Sequence, residues 1–226
     1  MKKKILLIAF SVFIAVSSYS QDKLFSLGVR AGMNLSDMSV EHSDTKARVG
    51  YQFGIVGEYK LPNDFFLQSS LNVSSKGTKV DLDIDYDFNG DGIPDKGSVK
   101  TTWNATYLEL PVLVGYKVNV TEDFGVKFMA GPYIAYGIGG KITGTASVNM
   151  GIPDGGYELY SGKDKMDSFS DESLKRFDFG LLGGVAADYQ KFTITLGYEY
   201  GLSNVSQGSN GIHNRNAFLT IGYNFY

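Results

Sequence analysis

Eight stretches of this chain alternate apolar and polar residues with a period of two, and the apolar side of all eight carries no charge. A period of two is the signature of a strand, because successive side chains leave opposite faces. The first stretch sets Phe25, Leu27, Val29, Ala31 and Met33 against Ser26, Gly28, Arg30 and Gly32. The seventh sets Phe192, Ile194, Leu196, Tyr198 and Tyr200 against Thr193, Thr195, Gly197 and Glu199. The others fall within 51–60, 65–74, 107–117, 124–136, 177–189 and 219–225, and no helical pattern of comparable length competes with them. An all-β chain with a charge-free strand face has two closed forms. A soluble lipocalin-like barrel turns that face inward, whereas a membrane barrel turns it outward to lipid.

Three features favour lipid. Aromatic residues sit towards the ends of the apolar face, as in Tyr51 and Tyr59, Phe124 and Tyr136, Phe177 and Tyr189, and Phe192 and Tyr200, which is how two interfacial girdles read in sequence. The polar face is mostly Gly, Ser, Thr and Asn; a water-facing strand has no use for Gly, but a narrow interior does. The connections also alternate in length: 61–64, 119–123 and 188–191 are tight, while 36–48, 76–103, 137–176 and 203–214 are long. The expected fold is therefore an all-β, eight-stranded antiparallel transmembrane barrel with short periplasmic turns and long extracellular loops.

The start of the chain fits that destination. Lys2, Lys3 and Lys4 precede an apolar run over 5–16, and Ser18 and Ser20 place small residues before Gln21. This is the layout of a secretory signal peptide, so residues 1–20 are expected to be cleaved and 21–226 to form the barrel in the bacterial outer membrane. With 21 basic and 24 acidic residues the chain offers no electrostatic case for nucleic acid, and with no Cys it excludes disulfides and thiolate chemistry.

Gly28-Val29-Arg30-Ala31-Gly32-Met33-Asn34, Tyr107-Leu108-Glu109-Leu110-Pro111-Val112-Leu113, Gly131-Pro132-Tyr133 and the closing Gly222-Tyr223-Asn224-Phe225-Tyr226 carry a further signal. They resemble the first, fourth, fifth and last strands of the PorT-like outer-membrane β-barrel family of Bacteroidetes, eight-stranded barrels of the OmpA/OmpX kind. The resemblance covers about the whole mature chain. It implies a non-enzymatic barrel and, through the member that gives the family its name, a link to type IX secretion.

Two constellations are candidates for a site. Asp87, Asn89, Asp91 and Asp95 stand at positions 1, 3, 5 and 9 of a loop with Gly92 at position 6 and the Ile93 carbonyl at position 7, the spacing that wraps Ca²⁺. Position 12 is Ser98 instead of a bidentate acid, so one ligand pair is missing; the alternative is a solvated acidic hairpin whose Asn-Gly and Asp-Gly steps simply turn. Upstream, Asp81, Asp83 and Asp85 alternate with Leu82, Ile84 and Tyr86, which extends the third strand beyond the membrane. The second constellation is interior charge: Arg30, Lys60, Lys117 and Lys127 share the polar face with Glu58, Glu109, Asp178, Asp188 and Glu199. Pairing Glu109 with Arg30 or Lys127 would close the lumen; the other reading is an ion or proton path.

No nucleophile constellation is present: His42 and His213 both fall in long connections, and the Gly-rich stretches 137–140 and 180–184 precede no helix that could hold phosphate. Residues 141–160 carry a hairpin pattern, and 164–176, without Gly or Pro, could hold a helical turn. The expected role is an accessory or structural subunit of an outer-membrane assembly or secretion machine. The alternatives are a surface-binding or adhesion barrel with a calcium-ordered loop, and a small pore. Expected partners are outer-membrane lipid and lipopolysaccharide, and other outer-membrane proteins; the one cofactor expected is Ca²⁺.

Overall fold

The computed structural model describes residues 24–40, 45–86, 95–151, 157–170, 173–207 and 211–225; the signal-like segment 1–20 lies outside them. Nine strands follow in order: β1 (Phe25–Val40), β2 (Lys46–Lys60), β3 (Phe65–Tyr86), β4 (Asp95–Asn119), β5 (Phe124–Gly151), β6 (Tyr157–Asp167), β7 (Phe177–Tyr189), β8 (Phe192–Gly201) and β9 (Ile212–Asn224). They run antiparallel in the order β4-β3-β2-β1-β9-β8-β7-β5, and β4 also pairs with β5, so eight of them close a ring. β6 stands outside the ring against the upper part of β5. The eight expected strands are the ring, and β6 is the second arm of the hairpin expected within 141–160.

The side chains are arranged inside out. Met33, Leu196 and Ile221 on the apolar face are 60% exposed or more, while Lys76, Glu109 and Asp178 are at 0%. A soluble barrel would reverse this, so the apolar face is the lipid face. Both girdles are in place: Phe65 packs edge-on against Tyr116, and Phe192 against Tyr223, near the short turns. Tyr51 with Phe53, and Phe177 with Phe179, mark the opposite end of the band.

Register fixes the tilt. Paired residues lead from Lys117 through Lys127, Ala186, Thr195, Thr220, Gly32 and Gln52 to Ser74, and the Lys117 N–H starts the circuit on the Asp64 carbonyl, so one turn of the barrel climbs ten residues of the chain. A stagger of that size tilts the strands by roughly 40°. The stretch Phe192 to Tyr200 then rises about 20 Å along the barrel axis, most of a hydrocarbon band of about 25 Å.

Inward aromatics and glycines pair one to one. Phe66 lies opposite Gly115, Tyr107 opposite Gly137, Tyr133 opposite Gly180 and Phe218 opposite Gly197. A methyl group on Gly115 or Gly197 would overlap the Phe66 or Phe218 ring, and one on Gly137 would overlap Phe169. The inner face is thus less polar than the sequence pattern suggests. Its rings need the space that glycine leaves, which accounts for many of the glycines on that face.

Above the band, residues read as long connections are largely strand. β3 and β4 remain paired as far as Tyr86 and Asp95, and β5 and β6 pair from Lys141 and Asp167 to Gly151 and Tyr157. The upper parts of β3, β4, β5 and β6 therefore form a four-stranded sheet that rises from one side of the ring. At its base one extra residue, Ile138, bulges where Tyr107 pairs with Gly137 but Thr106 pairs with Gly139. Among the described residues of 164–176 there is no helical turn, since β6 runs to Asp167 and turns follow it. Residues 168–170, 173–176 and 203–207 instead fold over the outer mouth: Leu174 bridges Ser206, and the Lys175 N–H donates to the Val205 carbonyl at 2.8 Å. Phe169, Leu174, Val205, Met38 and Ile212 are buried beneath them as an apolar cap.

Adding bulk at Gly197 should force Phe218 from its seat. Gly197→Val is expected to cost about 1–3 kcal/mol of unfolding free energy in urea titrations of the vesicle-inserted barrel. Gly183→Ala, where an added methyl meets nothing within 4 Å, is expected to be near neutral.

Candidate functional site

The lumen holds its charges at two levels. Near the short turns, Lys127 Nζ lies 2.6 Å from Glu58 and 2.8 Å from Asp188, and Lys117 lies 3.1 Å from Asp188. Asp188 also accepts the Thr193 hydroxyl at 2.8 Å. Near the outer girdle, Lys76 Nζ is 2.6 Å from both Glu109 and Glu199, over the faces of Tyr133 and Tyr107 at 4.8 and 5.8 Å. Asn216 donates to Glu199 at 2.9 Å. Arg30 lies between the two levels and donates to Asn72 at 3.1 Å and to Ser70 at 2.5 Å. Asp178 is met, among the described residues, by hydrogen-bond donors and not by a contacting cation: Ser203 at 2.5 Å, Asn214 at 2.8 Å and Tyr133 at 3.3 Å.

This corrects the expected pairing of Glu109 with Arg30 or Lys127. Glu109 is held by Lys76, which lies within the expected long connection 76–103, just beyond the alternation that ends at Ser74. The signal was present, since Gln68, Ser70, Asn72, Ser74 and Lys76 continue one period-two series on the inner face. Lys127, Asp178 and Glu199 are buried on the inner face, and Glu58 meets Lys127 there. Lys60 remains exposed near the lower mouth.

Ion pairs reach into the lumen at both levels. Two buried carboxylates share one ammonium, and Arg30 interacts electrostatically with both. A buried charge left unpaired is expensive, so each member holds the others in place. The Lys76 group, the apolar cap above it and the Lys127 group below it are three successive seals. Between the charge groups a cavity of about 20 Å³, lined by Arg30, Glu58, Gln68, Lys127 and Thr195 among others, has room for about one water.

The acid ladder on the projecting sheet has its own counter-charge. Asp81 pairs with Lys46 at 3.0 Å, and across the β3–β4 register it lies opposite Lys100. The hydrogen bond from Lys46, with smaller help from Lys100 and Lys79, holds the Asp81 carboxyl below the usual carboxylate range. Of the proposed calcium ligands, Asp87, Asn89, Asp91 and Ile93 lie outside the described residues, and Asp95 is placed only as the first residue of β4. His42 also lies outside them, and His213 sits on β9. Among the described residues no group of three or more His, Cys, Asp or Glu is arranged to hold a metal.

Removing the shared cation leaves two buried carboxylates facing each other. Lys76→Met is expected to destabilise the barrel by about 3–5 kcal/mol in the same urea titrations. Adding Glu109→Gln and Glu199→Gln to it should recover most of the loss, whereas a merely steric role for Lys76 would leave the triple variant as weak as the single one.

Solved structures of similar outline include Ail, the attachment invasion locus protein of Yersinia pestis, at 14% identity over 88% of this chain and 98% of that one, with a TM-score of 0.39. Neisserial surface protein A is similar at 14% identity over 88% and 97%, TM-score 0.40. The outer membrane protein OprG from Pseudomonas aeruginosa is similar at 13% identity over 90% and 97%, TM-score 0.45. No curated protein sequence matches this chain significantly. A family profile does match, the outer membrane protein beta-barrel domain, over residues 19–207. A closed ring with its apolar face outward and a profile match across most of its length lead to one assignment: this chain belongs to the outer membrane protein beta-barrel domain family and resides in the bacterial outer membrane.

Proposed function

We propose that this protein is a non-enzymatic accessory or structural subunit of an outer-membrane assembly or secretion machine, working through its outer surface and not through its lumen. The observation that carries this reading is the sealed interior: Lys76 bound by Glu109 and Glu199 under an apolar cap leaves no route for cargo. The projecting sheet of β3–β6 is then the part offered to partners. The sequence resemblance to PorT-like barrels supports placing that machine near type IX secretion. Affinity purification from native membranes in mild detergent is the test. Stoichiometric recovery of other outer-membrane proteins is the expected result, and a solitary barrel would overturn the reading. Planar-bilayer recording should show no stepwise conductance; discrete openings would favour the small pore instead.

A second reading is a surface-binding or adhesion barrel with a calcium-ordered loop. It is favoured by the pairing of Tyr86 with Asp95, which holds together the two ends of the sequence that carries the calcium spacing. Titration calorimetry of the refolded protein with Ca²⁺ should then give heat that Asp91→Ala abolishes; the absence of heat at millimolar Ca²⁺ would sink it.

A further inference from the structure

The projecting sheet has an unpaired margin on β3. The last β2 residue paired with β3 is Lys46, opposite Lys79, while β3 itself continues to Tyr86. Among the described residues no strand lies against that side of β3 beyond Lys79. The margin bears hydrogen-bonding groups. Gly77 donates its N–H to Ser36 Oγ at 2.9 Å and accepts the same hydroxyl on its carbonyl at 3.1 Å, both from the side away from β4. The period of two then directs the N–H and C=O of Asp81 and Asp83 to the same side.

We propose that this upper margin of β3 is a docking strand, which takes up an extended polypeptide segment of alternating basic and apolar residues as an antiparallel addition to the sheet. Charge complementarity identifies the occupant. The side chains that would lie beside an added strand are Asp81 and Asp83 on the outer face and Leu82, 55% exposed, on the axis side. A partner residue opposite an edge residue presents its side chain on the same face, so Lys or Arg would meet the aspartates and apolar residues would cover Leu82. The chain supplies its own example: Lys46, at the end of the neighbouring strand, already reaches Asp81 at 3.0 Å.

The same residues argue against a second copy as the occupant. Two β3 margins paired antiparallel would set aspartate rows against each other, a like-charge arrangement that edge strands use to avoid self-association. The free side of β6 is less selective, because Lys163, Lys165, Asp164 and Asp167 mix both signs there.

This inference rests on the reading that the protein works through polypeptide partners. It is tested with the full mature barrel in nanodiscs and a short synthetic peptide of alternating lysine and valine, followed by fluorescence anisotropy and by backbone amide shifts in NMR. Saturable binding that weakens as salt is raised, with shifts centred on Asp81 and Asp83, is expected. Asp83→Asn should weaken binding several-fold. Asp83→Pro removes an N–H that faces the margin and not β4, so the sheet should survive and binding should fall by at least about tenfold. A glutamate–valine peptide should not bind. Binding that Asp83→Pro reduces no more than Asp83→Asn does would mean charge attraction alone and would overturn strand addition, as would shifts centred on β6, or no binding at low salt. If native partners still co-purify with the Asp83→Pro barrel, the docking strand fails while the accessory-subunit reading stands; if none co-purify with the unaltered protein, that reading fails by itself.

Discussion

In hydrocarbon a peptide group has no water to fall back on, and each one left unpaired costs several kcal/mol. That requirement governs this molecule. Within the lipid band every strand of the ring has a neighbour on both sides, and the last gap is closed by β4 on β5. Once the ring is closed, the pleat sends alternate residues to lipid and to the lumen, and the composition of each face follows. The outer face can carry no charge, whereas the inner face can, provided that each charge is answered at close range.

The lumen meets that condition in a narrow space. With a circuit stagger of ten residues the interior has room for side chains and little else. Glycine opposite each of Phe66, Tyr107, Tyr133 and Phe218 lets large rings lie flat in it. The Lys76 and Lys127 groups occupy the levels of the two girdles, so charge inside is placed at the depths where the outside meets headgroups. The middle of the band is left to Arg30 and neutral hydrogen-bond partners.

Much of this was legible in the sequence because a two-faced strand in a membrane must be strict. The phase of all eight ring strands, the three tight turns and the hairpin in 141–160 could be read from alternation alone. Alternation failed where the environment changes. Above the lipid band the outward face becomes polar as well, as in Lys79, Asp81 and Lys100, so the pattern loses its contrast after Ser74; the alternation over 81–86 shows that β3 continues, but the stretch between is not legible. Lys76 was lost with it, and with Lys76 the true partner of Glu109. The inward aromatics were obscure for a different reason. Phe66 and Phe218 look out of phase until register shows the glycine across from each, and register is not written in any single strand.

The bulge at Ile138 has a consequence for how such a chain can change. Below it the odd-numbered residues of β5 face the axis, as Lys127, Met129 and Tyr133 do; above it the even-numbered ones do, as Ile142 does. Because the bulge alone makes that change of parity, losing Ile138 would leave Gly137 opposite Tyr107 and Gly139 opposite Thr106 in unbroken alternation. Ile142 would still face the axis, and Lys141 and Thr143 the surroundings. A loss of one residue at this point is therefore absorbed, while the same loss inside an unbroken strand such as β8 would exchange the two faces of everything beyond it.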